Sequence, residues 1–590
     1  MSLLSGPPAF RSVSLLALFA AASLVLVGCG ASAGGGSSAA AYDHGGGVAG
    51  GGGNGYASGG SGGGYGGGGG AAGAGYAGPG GAYGGSGGGG GTAASGSNTN
   101  VNLGGSQDFG YFRKLLDAGQ VPHPGDFDAA GFFAEHYEQL PPPSCGHTVC
   151  LQPMLGVMNN LYDRQGFTLL QFGLNSPLSA DPGSRPPLDL EVAVDVSGSM
   201  GSAGKIDFVR QGLNLLVDGL KDGDRFGLVT YSTDVQVAFP MADITGSRQA
   251  LHTIVNGLTA SGGTNFYGGL ERGFQELQKN YDSGKQNRVI LLSDGQPTSG
   301  DTNPADILAM SKKYNSDGIG LTTIGLGTSF NAALMSQLAL QADGNYYFLE
   351  DSGAVSDVFT EELDYFTVPI AYDLTLRVHA AVQYSFGQAY GSPFWQNTSY
   401  GAKIEVPSLF LAHRQSASDV TKTGGRRGGG SALLAQVDPK LTADDGSGIT
   451  DAGVAVVDVT YREPGTNNIV YDTVTVHYPD PPWSTRPEGY FDASDPAVIE
   501  KSFLMLNIYL GVSHACDAFW HTGDTSEAIA ELDRLVAAAN DYNTTANSGA
   551  GDDDFKADVD LMTQLRAVLI TNGAVAPTDS KIPADPWPAN

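Results

Sequence analysis

Apolar residues change their spacing in a regular alternation between residues 188 and 367. Short apolar runs predict strands at Asp189–Val196, Phe226–Tyr231, Arg288–Ser293, Gly320–Gly325 and Asn345–Leu349. Apolar residues at helical spacing predict helices at Ile206–Leu220, Gly269–Tyr281, Pro304–Tyr314, Asn331–Gln341 and Ala354–Leu363. Strands that alternate with helices in this way predict an α/β fold, with a doubly wound and mostly parallel sheet covered by helices on both faces.

The regions on either side of this unit have different patterns. Residues 106–187 combine short helical patterns with a strand and predict an N-terminal helical and strand segment. After residue 368 the apolar residues recur at every second position, as in Tyr372–Val378 and Val454–Tyr461, which predicts a β-rich region over 368–485. Helical spacing returns over 486–576 and predicts a helical region, followed by a tail over 577–590.

Glycine is concentrated near the start of the chain. Of the 89 glycines, 35 lie among the 68 residues from Gly30 to Ser97, a stretch with one acidic residue and no Lys or Arg. Such a segment buries too little apolar surface to offset the entropy of ordering it. We therefore expect a disordered linker over residues 29–105. It either holds the folded part away from a membrane or is tolerated without a role.

The first 28 residues have the pattern of an export signal. Arg11 precedes an apolar run, Val13–Val27, that is shorter than the about 20 residues of a membrane-spanning helix. The run ends in Leu26-Val27-Gly28-Cys29, which resembles the bacterial lipobox. The resemblance implies a lipoprotein signal peptide over 1–28, lipidation of Cys29, and attachment to the bacterial cell envelope at the outer membrane or cell surface. Plain secretion and a retained anchor are the alternatives.

Three cysteines follow Cys29. Cys145 and Cys150 lie five positions apart, and an oxidising compartment favours a disulfide between them. A metal clip that includes His147 is the alternative. Cys516 lies in a predicted helix, where we expect it to be buried.

The charge of the chain narrows the range of partners. Thirty Lys and Arg residues against sixty Asp and Glu residues give a formal net charge of −30. Binding to nucleic acid or anionic lipid needs a basic face, so neither is expected as a partner, whereas a divalent cation suits this surface. Catalysis is not expected either. The GxSxG pattern at residues 59–63 lies in the glycine-rich linker, and the spacing of Gly198 to Lys205 does not fit a phosphate loop.

Oxygen-bearing side chains follow the predicted strands of the central unit. Asp195 lies at the end of the first strand and Ser197 and Ser199 follow it, Thr264 lies in a loop, and Asp294 follows another strand. Ligands of α/β sheets bind at the carboxyl ends of the strands, and Mg²⁺ prefers oxygen ligands in near-octahedral geometry. Coordination through neutral hydroxyls leaves the ion short of negative charge, so it can accept a carboxylate from a partner.

With these five residues the chain resembles the von Willebrand factor type A domain and its metal-ion-dependent adhesion site. The flanking segments resemble a bacterial exported lipoprotein type of such proteins. The resemblance implies a type A domain over 188–367, direct ligation by Ser197, Ser199 and Thr264, and mostly water-mediated roles for Asp195 and Asp294. It implies Mg²⁺ as the cofactor, with Mn²⁺ or Ca²⁺ as substitutes. A degenerate domain without a metal is the alternative.

The expected function is a surface-anchored, cation-dependent module that binds a protein ligand through an acidic side chain of that ligand. The alternative is a structural or assembly factor of the cell envelope whose metal site only stabilises the fold. A third possibility is a regulatory subunit that works with an enzyme encoded elsewhere.

Overall fold

The computed structural model describes residues 97–578, apart from 162–165, 180–184, 343, 350–353, 356, 363–368, 420–425, 441–452, 465, 467, 478–489 and 492–495. The predicted signal peptide, Cys29, most of the predicted linker and most of the predicted tail lie outside the described residues. In the part of the chain that is described, none of the helices combines the length and apolar character needed to cross a membrane.

The described secondary structure divides into a parallel and an antiparallel sheet with their helices. The strands are β1 (Thr99–Asn102), β2 (Gly105–Ser106), β3 (Cys150–Asn159), β4 (Gly166–Ser176), β5 (Leu188–Asp195), β6 (Arg225–Tyr231), β7 (Val235–Asp243), β8 (Gln286–Ser293), β9 (Gly320–Leu326), β10 (Asn345–Leu349), β11 (Ala371–Ala380), β12 (Tyr384–Tyr390), β13 (Gln396–Thr398), β14 (Gly401–Leu411), β15 (Leu433–Pro439), β16 (Gly453–Arg462), β17 (Ile469–His477) and β18 (Tyr490–Phe491). The α-helices are α1 (Gly110–Asp117), α2 (Ala129–Ala134), α3 (Lys205–Gly219), α4 (Arg248–Asn256), α5 (Phe266–Lys279), α6 (Pro304–Asn315), α7 (Ala332–Leu340), α8 (Pro496–Asp517), α9 (Thr525–Thr545) and α10 (Asp553–Thr571).

The seven-stranded sheet has the order β2-β10-β9-β8-β5-β6-β7. Its neighbouring strands are parallel except for β6 and β7. Residues of α3 and α4, such as Leu213 and Leu251, form the core on one face, and residues of α5, α6 and α7, such as Phe274 and Leu338, form it on the other. The predicted α/β fold with a mostly parallel sheet is thereby confirmed.

Besides the two-residue β2, the elements β7 and α4 of this unit have no counterpart among the predicted strands and helices. β7 is the edge strand of the sheet, and its residues are exposed or half-buried throughout. It also contains Pro240, a residue that sheets tolerate mainly at an edge. A half-exposed strand that contains proline has little of the apolar signal that marks the central strands.

The antiparallel sheet has eleven strands and joins distant parts of the chain. Its main path is β12-β15-β4-β1-β14-β11-β16-β17, with β3 on β4, β18 on β3 and β13 on β14. β3 and β4 belong to the predicted N-terminal segment 106–187, whereas β11 to β17 belong to the predicted β-rich region 368–485. The division into two separate units is therefore wrong, because both contribute strands and core residues such as Leu170 and Val457 to one sheet.

The predicted boundary of the linker at residue 105 is also wrong. β1 pairs with β4 on one side and β14 on the other, and Val101 is fully buried. The Asn100 amide donates hydrogen bonds to the carbonyl oxygens of Glu138 (2.7 Å) and Gly429 (3.0 Å). Residues 99–103 contain no glycine and include two apolar residues, so the glycine-rich composition that predicts a linker ends before them.

The third part of the core lies between the N-terminal and C-terminal helices. Phe112 of α1 and Phe132 of α2 share a cluster with Phe503 of α8, Leu532 of α9 and Leu565 of α10. The predicted helical region 486–576 needs one correction, since β18 lies within it and pairs with β3. Chain ends that are far apart in sequence therefore form one helical core.

The cysteines are arranged as follows. Cys145 and Cys150 form a disulfide, with their Cα atoms 5.6 Å apart, so the alternative of a metal clip at this loop has no free thiolates. Cys516 is buried in α8 with a free thiol, and burial raises the pKa of this thiol. Within the described residues, no group of three or more His, Cys, Asp or Glu side chains is placed to hold a metal.

Candidate metal centre

Parallel pairing of β5 with β8 brings two carboxylates to the same edge of the sheet. Val194 of β5 lies beside Leu292 of β8, so Asp195 ends one strand where Asp294 follows the other. Both carboxylates are fully buried at the base of the loops that cover this edge.

Hydrogen bonds fix the orientation of Asp195. Its Oδ1 accepts from the backbone N–H of Ser197 (2.8 Å), and its Oδ2 accepts from the Ser293 hydroxyl (2.8 Å). Burial raises the pKa of Asp195, while the hydrogen bonds from Ser197 and Ser293 oppose the rise and the nearby Asp294 charge adds to it. A bound cation would favour the ionised form of this carboxylate.

Backbone hydrogen bonds connect the loop that carries Thr264 to the turn after β5. The N–H of Gly198 donates to the carbonyl oxygen of Gly262 (3.0 Å), and the N–H of Ser261 donates to that of Val196 (2.8 Å). Gly262 has a φ of +83°, a left-handed conformation that favours glycine. Thr264 therefore reaches the site through a loop that is bonded to the segment between Asp195 and Ser199.

A second contact holds Thr264 to the loop after β8. Its N–H donates to Thr298 Oγ1 (2.8 Å), and its carbonyl oxygen accepts from the N–H groups of Thr298 (3.0 Å) and Ser299 (3.2 Å). No motif in the sequence singles out Thr298. Its role is to fix the backbone of Thr264 relative to Asp294.

The structure brings the five predicted site residues together. The hydroxyl oxygens of Ser197 and Ser199 are 3.0 Å apart, and Ser199 Oγ donates to Asp294 Oδ1 at 2.7 Å. Ser199 Oγ and Thr264 Oγ1 each lie 3.7 Å from the point that a Cβ atom on Gly295 would occupy. Side-chain oxygens from three loops thus lie near one another at this edge of the sheet.

This oxygen set fits a small divalent cation. Neighbouring ligand oxygens in an octahedron with metal–oxygen bonds of about 2.0–2.1 Å lie about 3 Å apart. The Ser197–Ser199 oxygen separation of 3.0 Å matches that spacing. Ser197, Ser199 and Thr264 are the residues that would hold the ion directly. When bound, the ion would supply a Lewis acid with positions open to a further oxygen ligand.

One charged residue of the site was missed at the sequence level. The Lys205 ammonium bonds to Asp294 Oδ2 at 2.6 Å, so each oxygen of this carboxylate has a partner. The available signal was the position of this lysine at the first residue of α3, because a cation at a helix N-terminus opposes the helix dipole.

The family comparison agrees with this geometry. The family model for the von Willebrand factor type A domain matches residues 189–361. This part of the chain is a type A domain. The match covers β5 to β10 and all five predicted site residues, and it leaves the antiparallel sheet and the terminal helices outside.

The chain is similar to other proteins over part of its length. The chain is 32% identical to the Escherichia coli protein YfbK over 195 residues. This alignment covers 33% of this chain and 34% of that protein. The chain is 30% identical over 166 residues to human inter-alpha-trypsin inhibitor heavy chain H4, covering 27% of this chain and 18% of that one. The chain thus spans about a third or less of these relatives. A solved type A protein from Catenulispora acidiphila aligns with 72% of this chain and 98% of its own, at 14% identity and a TM-score of 0.45.

Proposed function

We propose that the type A domain is a divalent-cation-dependent module that binds a protein ligand through an acidic side chain of that ligand. The supporting observation is the cluster of the Ser197, Ser199 and Thr264 hydroxyls beside Asp294. Asp195 and Asp294 are buried beneath it, whereas Ser199 is exposed. A cation held here would have its protein ligands on one side and its open positions toward solvent, where a partner carboxylate could reach it.

Thr264→Ala is expected to abolish Mg²⁺ binding measured by calorimetry, because it removes one ligand oxygen while the backbone bonds to Thr298 and Ser299 remain. Asp195→Ala is expected to do the same, because it removes the acceptor that orients the turn carrying Ser197. Both variants should also lose the Mg²⁺-induced rise in melting temperature, since an ion that binds only the folded state stabilises it by mass action.

Thr264→Ser is the matched control, because it keeps the hydroxyl and is expected to bind Mg²⁺ within about threefold of wild type. Immobilised peptides that present Asp or Glu, compared with the same peptides carrying Asn or Gln, test the ligand. Retention only of the acidic peptides, and only without EDTA, is expected. If Asp195→Ala binds Mg²⁺ as wild type does, the metal site is wrong. If EDTA lowers the melting temperature but leaves peptide retention unchanged, the ion only stabilises the fold.

We further propose that lipidation of Cys29 anchors the chain at the bacterial outer membrane or cell surface. Cys29→Ala is expected to move the protein from the detergent phase to the aqueous phase in Triton X-114 partitioning, because the acylated residue is lost. Cys516→Ala, which alters a buried thiol, should leave partitioning unchanged. Equal partitioning of wild type and Cys29→Ala would refute the lipid anchor.

A further inference from the structure

Lys205 lies inside the candidate metal centre as a fixed positive charge. Its ammonium is 2.6 Å from Asp294 Oδ2, and the two side chains are 13% and 0% exposed. Its stem passes over Gly327, where an added Cβ would lie 2.9 Å from Lys205 Cε. A side chain at residue 327 would therefore displace the lysine from the carboxylate.

The backbone that delivers Lys205 is unfavourable for an ordinary helix start. Lys205 is the first residue of α3, and the preceding Gly204 supplies no side-chain cap. Ala203 (φ 54°) and Gly204 (φ 72°) are both left-handed, which for alanine costs about 1 kcal/mol. A lysine at this position also opposes the helix dipole. The contact with Asp294 is the compensating interaction, which indicates that the lysine serves the site rather than the helix.

The formal charges of the site show what this lysine changes. Asp195 and Asp294 contribute two negative charges, and the three hydroxyls contribute none. With Lys205 the site carries a net charge of −1, so a divalent cation would bring it to +1. Without Lys205 the same ion would only neutralise the site, and the attraction for a further carboxylate would be weaker.

We propose that Lys205 sets the charge balance of the cation site, lowering its affinity for the ion and keeping the ion-loaded site attractive to an anionic ligand. This inference rests on the proposed function, because it assumes that the ion binds among Ser197, Ser199 and Thr264. Lys205 competes with the ion for Asp294. The site therefore has a lower affinity for the cation, and the ion-loaded site attracts a carboxylate more strongly.

Lys205→Met tests whether Lys205 lowers the affinity for the ion, because methionine keeps an unbranched stem over Gly327 and removes the charge. Calorimetry on the full chain is expected to give a Mg²⁺ affinity roughly tenfold higher than that of wild type. Lys279→Met is the matched control. This exposed lysine ends α5, so the variant has the same net charge and should bind Mg²⁺ as wild type does. Lys205→Gln provides a second uncharged variant if the methionine variant is unstable.

Acetate, a small carboxylate, tests whether Lys205 keeps the ion-loaded site attractive to an anionic ligand. With each protein saturated with Mn²⁺, paramagnetic broadening of the acetate methyl resonance is expected to be stronger for wild type than for Lys205→Met. Equal or weaker Mg²⁺ binding by both uncharged variants, with wild type binding normally, would overturn the role of Lys205 and leave the metal site intact. Equal acetate broadening would overturn the proposed attraction for carboxylates. A complete lack of Mg²⁺ binding by wild type and variants would overturn both this inference and the proposed function.

Discussion

Arg414→Leu is expected to lower the free energy of unfolding by about 4 kcal/mol, the scale for a buried charge that loses its partner. The Arg414 side chain is fully buried between the N-terminal helices, the loop after β14 and the C-terminal helices. Its Nη2 donates to Asp554 Oδ1 at 2.9 Å. It also donates, at 2.6–2.9 Å, to the carbonyl oxygens of Glu135, Ala417, Asp419 and Arg426. Leucine would leave all these acceptors buried without this donor.

The contribution of Arg414 to the free energy of unfolding depends on pH, because its partner Asp554 can be protonated. Burial raises the pKa of Asp554, but the charges of Lys501 and Arg414 lower it by more, so the pKa lies well below its ordinary value of 3.8. A carboxylate with a lowered pKa stabilises the fold above its unfolded-state pKa and loses that effect as the pH falls through the folded-state pKa. The difference in the free energy of unfolding between wild type and Arg414→Leu should therefore be largest at neutral pH and should decrease under acid conditions below pH 3.8.

Urea denaturation at pH 7 measures the effect of Arg414→Leu. Arg272→Leu is the control, because Arg272 is 41% exposed and forms an ion pair with Glu276 on the same helix. Exposed pairs contribute about 1 kcal/mol or less. A loss below about 1 kcal/mol for Arg414→Leu, equal to the control, would show that the buried network does not join the three parts of the chain.

The central sheet could be predicted because its strands are buried along their whole length. Every residue of β5 is buried, and its residues other than Asp189, Glu191 and Asp195 are apolar. β8 is buried except for its half-buried first residue, and Val289, Ile290, Leu291 and Leu292 form a continuous apolar run within it. Local apolar spacing is sufficient for such elements, and their alternation with helices is sufficient for the fold class.

The antiparallel sheet could not be assembled from local patterns. Leu434 of β15 pairs with Gln171 of β4 across more than 260 residues, and Val101 of β1 pairs with Leu411 of β14 across 310. Apolar alternation predicts that such strands exist, but it carries no information on which strand lies beside which. β2 and β18 have two residues each, which is too short for any periodic signal.

The candidate site was predictable to a different extent for each type of residue. Asp195 and Asp294 follow predicted parallel strands, so their common position at one edge follows from the fold. Thr264 could be placed only by resemblance to the family, because its loop is positioned by bonds to Gly198 and Thr298 that no local pattern reveals. Lys205 was missed because a lysine at the start of an amphipathic helix looks like an ordinary exposed residue.

Glu191 is an ionisable residue that is buried in the same sheet. It is fully buried on β5, and neither of its carboxyl oxygens has a hydrogen-bond partner in the described part of the chain. It pairs with Gly227 of β6, where an added Cβ would lie 2.0 Å from Oε2, so the glycine provides the space for the carboxyl. Burial, reinforced by the charge of Glu276, raises the pKa of Glu191 from 4.5 to about 9.

Glu191→Gln is therefore expected to raise the free energy of unfolding at pH 7 by about 3 kcal/mol. Between pH 4.5 and about 9 the folded state holds a proton on Glu191 that the unfolded state has released. The contribution of Glu191 to stability is therefore greatest below pH 4.5 and falls by about 1.4 kcal/mol per pH unit as the pH rises over this range. Glutamine keeps the shape of the neutral acid and removes this slope. Urea denaturation in EDTA at pH 5, 7 and 8.5 measures how the free energy of unfolding depends on pH. Glu405→Gln, at a half-exposed position on β14, serves as the control and should leave the slope unchanged. Parallel curves for wild type and Glu191→Gln would mean that Glu191 is ionised in the folded protein.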